Sequence, residues 1–383
     1  NAEINPDREF LTYTFDEKGR TIATTNGAGD TTEMAYDGQN QVTRIIDPRG
    51  HITRFEYDDR NNLRFTYDAR NGPSGTTYKI EQQYDAEDRM VKLIDEAGHE
   101  TLYDYDSEHH LTKVTDPLLR EISYSYFTSG PHDGLIETIT TPGATAGQTH
   151  LTTNAYDPHG YPNAITRPDT SVVTQTFNAR GDLLFAEVAT PGETNTYPVT
   201  NTYDLNRRLL TAQDDLGFGA TIVYDEVGNV VSTIDRFGNE STASYSSLAR
   251  LETATGSDNR TTVFGHDDSG RRSSITNPLG QTSLLGYDAA GRLQTTSNPL
   301  AETVTQSYDS AGNRTGLQNA RLNNYQFTFT ANNLQESLTT PLGRVFNYTY
   351  DDRLLLKTVE EPSTQTVTYH YFDDGLLQQT VDP

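Results

Sequence analysis

No cysteine occurs among the 383 residues, so disulfide scaffolds, zinc ribbons and thiol catalysis are excluded. Tryptophan is absent too, which weakens any sugar-stacking platform. Basic residues are scarce: 29 Lys and Arg stand against 54 Asp and Glu, for a net charge of −25. That balance offers no basic stripe for phosphates and nothing for an anionic membrane surface. It suits a large exposed sheet kept soluble by its charge. No apolar run approaches the ~20 residues of a membrane span. The opening NAEINPDREF has neither an initiator Met nor a signal-peptide layout, as expected of a processed or excised piece. No stretch carries a convincing helical pattern.

What is present is a period. The stretch Tyr287 to Asp309 opens on Tyr-Asp and reaches a second Tyr-Asp 21 residues on. Equivalent places hold Phe15, Tyr36, Tyr57, Tyr84, Tyr105, Tyr126, Tyr156, Phe177, Tyr203, Tyr224, Tyr245, Tyr287, Tyr308, Phe329, Tyr350 and Tyr371, with His266 filling the remaining slot. Three steps are longer, at 27, 30 and 26 residues. A fixed period along a whole chain marks a repeat architecture. Such an array is quasi-one-dimensional, so residues 1–383 are expected to form one continuous array without internal domain boundaries.

Each repeat carries two turn signals. Turn A follows the aromatic place, and four residues on stands Gly19, Gly291, Gly312 and their like, or Asn40, Asn61, Asp88 and Asn333. These types tolerate positive φ, and the preceding Asp can bond the turn backbone. Turn B begins eleven residues after the aromatic place, as in Asp47-Pro-Arg-Gly50, Asn277-Pro-Leu-Gly280 and Thr340-Pro-Leu-Gly343. Asp or Asn, then Pro, then Gly at the fourth place predicts a type I turn. Between the turns, apolar residues alternate with polar ones: Met34, Phe55, Leu285 and Tyr348 lie two places before the aromatic, and Val42, Leu63 and Leu293 six places after it. This predicts half-buried antiparallel strands of about six residues. The tyrosines and phenylalanines are expected to form a cross-strand ladder. The three longer steps all widen turn B, and the second also widens turn A.

Tyr287-Asp-Ala-Ala-Gly-Arg-Leu293 followed by Asn298-Pro, with Tyr224-Asp-Glu-Val-Gly-Asn-Val230 and Tyr308-Asp-Ser-Ala-Gly-Asn-Arg314 as further copies, resembles the YD repeat of the RHS family. The resemblance extends over nearly the whole chain. It implies an all-β fold, antiparallel hairpin repeats wound into a spiral, hollow shell or tube. The family includes bacterial polymorphic toxins, cocoon components of insecticidal toxin complexes, wall-associated proteins and teneurin adhesion receptors. The role it implies is the structural shell wall of a secreted or cell-surface protein that encloses or displays a cargo such as a toxin domain. The implied partners are flanking repeats, copies of the chain itself and an enclosed toxin. An extracellular filament or adhesin built from the open-ended array is the alternative, and a polysaccharide-binding or polysaccharide-cleaving surface is a second. Asn5-Pro6 and Asp382-Pro383 both fall at turn-B places, so the chain is expected to be an excerpt of a longer array. Asp382 thereby has an ordinary repeat explanation, and no protease role is carried to it.

No residue is assigned to catalysis, to a cofactor or to a metal, and the chain is expected not to be an enzyme. His51 and His99 share a place held elsewhere by Asn239, Gln281, Glu302 or Arg344, which points to a solvent-facing position. His109-His110 lacks zinc-ligand spacing. The acid pairs Asp58-Asp59, Asp267-Asp268 and Asp351-Asp352 belong to turn A and lack the density of a calcium loop. No Gly-x-Ser-x-Gly elbow or phosphate-cradling Gly-x-x-x-x-Gly-Lys is present. No cofactor or nucleic-acid partner is expected; carbohydrate is a possible one.

Overall fold

The computed structural model describes residues 11–145, 147–193, 196 and 198–383. Among them lie 34 strands of one open antiparallel sheet. Strands pair with their neighbours in sequence, as Ile52–Tyr57 does with Leu63–Tyr67, and that strand with Lys79–Tyr84. Each repeat place closes a strand: Tyr57, Tyr224, His266 and Tyr350 all stand at strand ends. The spacing thus located the strands because Thr, Val and Tyr favour the pleat and Asp-x-x-Gly stops it.

Both turns have the same geometry. In turn A, the Asp58 N–H donates to the Asn62 carbonyl at 2.9 Å and the Asn61 N–H returns to the Asp58 carbonyl at 3.0 Å. In turn B, Asp47 and His51 repeat the first bond at 2.9 Å and Gly50 to Asp47 the second at 2.9 Å. The fourth residue is left-handed in each, with φ of 73° at Asn61 and 85° at Gly50. Where no Gly or Asn was available the backbone takes the same form, at Leu354 with φ 66° and at Ala301 with φ 61°. The ladder imposes the turn even on residues that resist it. Beside turn A the register slips by one residue, as between Glu56 and Tyr57 or Ser307 and Tyr308. That is a β-bulge, and it recurs along one edge of the strip.

Among the described residues no second layer covers the sheet. Among the described residues no large side chain is fully buried, and Tyr67 and Ala290 are the only buried apolar ones. Strands such as Asn324–Phe329 and Val345–Tyr350 alternate between exposed and half-buried places. The half-buried face carries most of the repeat aromatics; the exposed face is largely polar, with apolar exceptions at Val223, Val263 and Leu284. The expected aromatic ladder takes another form. Repeat aromatics sit on every second strand, so Tyr57 and Tyr84 have the strand Leu63–Tyr67 between them. At ~4.8 Å per strand they stand too far apart to stack directly. Aliphatic residues such as Leu63 fill the intervals.

Contacts gather the chain into two units, Asn1–Thr101 with Phe264–Pro383, and Leu102–Val263. In the first, the insertion after Tyr67 forms a single 3₁₀ turn, Ala69–Asn71, where the sequence suggested only a loop; the Asp68 side chain caps it by accepting from the Arg70 N–H. In the second, the long turn after Tyr126 folds His132 against Phe127 and Tyr156. The other two insertions fall partly outside the described residues, and Asn5-Pro6 lies wholly outside them.

Candidate functional site: repeat junctions and the seam

The signature Tyr-Asp-x-x-Gly-Arg can be read residue by residue. The tyrosine reaches backwards. Its hydroxyl donates to the carbonyl that opens the second strand of the preceding repeat: Tyr57 to Val42 at 2.9 Å, Tyr126 to Leu111 at 2.7 Å, Tyr224 to Leu209 at 3.0 Å, Tyr350 to Gln335 at 2.7 Å. Partial burial pushes the phenols of Tyr57, Tyr126 and Tyr350 up, which keeps them protonated as donors. The tyrosines at the repeat places are thus ties between repeats.

The aspartate holds its own turn. Asp58 Oδ1 accepts from the N–H groups of Arg60 and Asn62 at 2.9 and 2.8 Å. The Asn62 N–H holds the Asp58 carboxyl below the usual range, against an opposing desolvation; the Arg208 N–H does the same for Asp204. The arginine reaches forwards. Arg292 pairs with Asp288 at 2.7 Å, lies over the Tyr308 ring at 5.0 Å and donates to the Asp309 carbonyl at 2.8 Å. Arg20 repeats this toward Tyr36 and Asp37, and Arg208 toward Tyr224 and Asp225. His110 substitutes for the arginine in one copy, bonding Asp106 and stacking on Tyr126 at 4.5 Å.

This geometry corrects the expectation for His51 and His99. They are the turn-B counterparts of those arginines. Each is half-buried, with Nδ1 beside the turn aspartate, at 3.2 Å from Asp47 and 3.0 Å from Asp95. The shared Asp-x-x-Gly-[Arg/His/Asn] pattern of both turns was the overlooked signal. His109 is a left-handed turn residue with φ 71°. The acid pairs lie in turn A as expected, and among the described residues no three His, Asp or Glu side chains gather as a metal site would require.

A second set of contacts was invisible in the sequence. Within the first unit, turn-B corners of early repeats meet turn-A corners twelve or thirteen repeats later. Arg49 donates to the Thr330 carbonyl at 2.9 Å and to Asn333 Oδ1, and lies 3.6 Å from Asp309. Arg70 donates to the Asp352 carbonyl at 2.8 Å, and Asn332 to Asp68 at 3.1 Å. His99 Nε2 lies 3.3 Å from Asp373. Gly27 passes so close to the Ala289 carbonyl that a Cβ would collide with it. We call this line of polar corner contacts the seam. Burial pushes the Glu96 carboxyl up at the same edge, and Asp68 adds to it.

The fold and these junctions define a class: a single-layer array of Tyr-Asp hairpins, each tied to its neighbours by side chains at both turns. Residues 36–78, 84–121 and 287–321 match the RHS Repeat family model, so these stretches of the array carry RHS repeats. No curated protein matches it by sequence. Among solved structures, TcdB2-TccC3 is similar at a TM-score of 0.79 and 15% identity, and TcdB2-TccC3-Cdc42 at 0.77 and 15%; each likeness covers 98% of this chain and 24% of the other. A Photorhabdus luminescens Tc holotoxin pore is similar at 0.62 and 14%, again covering 98% and 24%. The chain therefore spans about a quarter of the length of these structures. Among the described residues no helix is long and apolar enough to cross a membrane.

Proposed function

We propose that this array is a stretch of shell wall in a secreted or cell-surface RHS protein, one that encloses or displays a cargo such as a toxin domain. The seam carries the proposal. A wall must close edge on edge, and Arg49, Arg70 and His99 join repeats 12 or 13 periods apart through their turn corners. The fold likeness to TcdB2-TccC3 over 98% of the chain supports it. The chain is proposed to be a non-enzyme, a reading supported by His51, His99 and Asp58, which are engaged in holding turns. Electron microscopy of the full-length polypeptide tests the reading. Hollow particles with internal density are expected. Long uniform fibres made only of the array would replace it with the filament.

A further inference from the structure

Histidine fills the fifth place of three turns, at His51, His99 and His110. In each, Nδ1 faces the carboxylate that opens the turn, at 3.2 Å from Asp47, 3.0 Å from Asp95 and 3.1 Å from Asp106. One N–H is enough for that bond, so a neutral imidazole completes these turns. Among the described residues, His99 is the one of the three that also meets a second carboxylate. Its Nε2 lies 3.3 Å from Asp373 Oδ1, across the seam.

A neutral ring carries one N–H and one lone pair. With Nδ1–H donated to Asp95, the Nε2 lone pair faces the Asp373 oxygen, and two acceptors repel. The other tautomer only moves the conflict to Asp95. The imidazolium has a hydrogen on each nitrogen and satisfies both carboxylates. The surrounding charges point the same way. Asp95 and Glu96 share the turn with His99, Asp68 and Arg70 stand in the preceding turn B, and Asp351, Asp352, Arg353, Asp373 and Asp374 stand on the facing turn-A corners. Arg70 is held by Asp68 at 2.8 Å. Arg353 lies 3.4 Å from Asp351 and donates to the carbonyls of Phe372 and Asp373. Lys92 and Glu100, on the strands beside the turn, pair with each other at 2.8 Å. Carboxylates outnumber cations here, so the corner gains from one more positive charge. Burial, with Asp68 behind it, pushes the Glu96 carboxyl up. Glu96 therefore also favours the closed corner when protonated, and that contribution is lost as pH rises through its folded value.

We propose that His99 is a proton-operated latch on the seam: in mild acid it takes up a proton, binds Asp95 and Asp373 together, and holds this corner more tightly than at neutral pH. The sign is opposite to acid unfolding. Depressed turn-A carboxyls such as Asp58 and Asp204 stabilise the fold above the ordinary carboxylate range and lose that contribution only lower down. The latch works in a separate window, about pH 7.5 to 5.5, where an ordinary imidazole titrates. The inference rests on the seam and not on whether the array encloses a cargo.

Hydrogen exchange by mass spectrometry on the whole chain tests it. Protection factors at residues 95–99 and 372–376 are compared at about pH 7.5 and 5.5, each corrected for the intrinsic rate at its pH. The Asp373 side chain is 59% exposed, so the gain in acid is that of a solvent-screened pair, roughly threefold to fivefold at both corners. His99→Gln, which keeps a donor but takes up no proton, should lose most of this gain. Asp373→Asn should lose it as well. His51→Gln, at the same turn place with one carboxylate, should keep it. Melting curves at neutral pH like the parent's are expected of all three. The proposal fails if protection does not rise in acid, if the rise survives in His99→Gln and Asp373→Asn, or if His51→Gln abolishes it.

Discussion

Replacing Arg49 with alanine should open the seam locally and leave the hairpins intact. The side chain is only 16% exposed, and its guanidinium serves the Thr330 carbonyl, Asn333 and Asp309. Hydrogen bonds to a charged group are worth about 1.5–3 kcal/mol each, while an ion pair near the surface adds about 0–1. Part of that is recovered when water reaches the freed groups, so a net loss on the order of 2 kcal/mol is expected. Read as local opening, this corresponds to roughly 30-fold faster amide exchange. Hydrogen exchange by mass spectrometry should show it at both corners, residues 47–51 and 330–334, although some 280 residues separate them. The control is Arg321→Ala. Arg321 stands at the same turn-B place as Arg49, between Ala320 and Leu322, and is exposed; its loss should change nothing at a distant corner. If Arg49→Ala speeds exchange only at residues 47–51, or if Arg321→Ala gives the same result, the seam does not join the two corners.

Three further outcomes follow from the junctions. Tyr350→Phe keeps the ring but removes the bond to the Gln335 carbonyl, so it should cost about 1 kcal/mol, visible as a lower denaturant midpoint with an unchanged slope. The depressed carboxyl of Asp58 stabilises the fold above its unfolded value of ~3.9, and this contribution fades as pH falls through the lower folded value; Asp58→Asn should therefore flatten the acid side of a stability-against-pH curve measured from pH 6 to 2. Gly27→Ala should loosen the seam at Ala289, where a Cβ has no room, whereas Gly38→Ala, which meets nothing, should melt like the parent.

The strands and turns were legible because both are local. Tyr, Thr and Val alternate with the pleat, and Asp with Gly or Asn four residues after most of the aromatics fixes the left-handed corner, as Gly19 and Asn61 show. The turn at Asn298-Pro-Leu-Ala301 was legible, but the left-handed backbone of Ala301 and Leu354 was not, since the ladder forces them into a conformation their side chains disfavour. Pairing between repeats was half legible. The sequence marked which tyrosines and arginines recur, but it implied ring-on-ring stacking, whereas the structure spends the tyrosine on a backbone carbonyl and the arginine on the next ring. His51 looked solvent-facing because its place tolerates many residue types; all of them that reach Asp47-like partners can serve. The seam left no trace at all. Arg49 and Asn333 are unremarkable turn residues, and only the accumulated path of many hairpins brings them together.

The absence of cysteine makes the central claim, that distant repeats meet corner to corner, directly measurable. Asp30→Cys and Arg292→Cys place the only two thiols of the chain on opposite sides of the seam, at positions whose native side chains lie 3.8 Å apart. Treated with a short bis-maleimide at low protein concentration, the double variant should cross-link within one chain in native buffer and not in denaturant. A pair displaced along the later stretch, Asp30→Cys with Arg344→Cys, should not. Failure of the first pair to link within one chain, or equal linking of both pairs, would contradict the account.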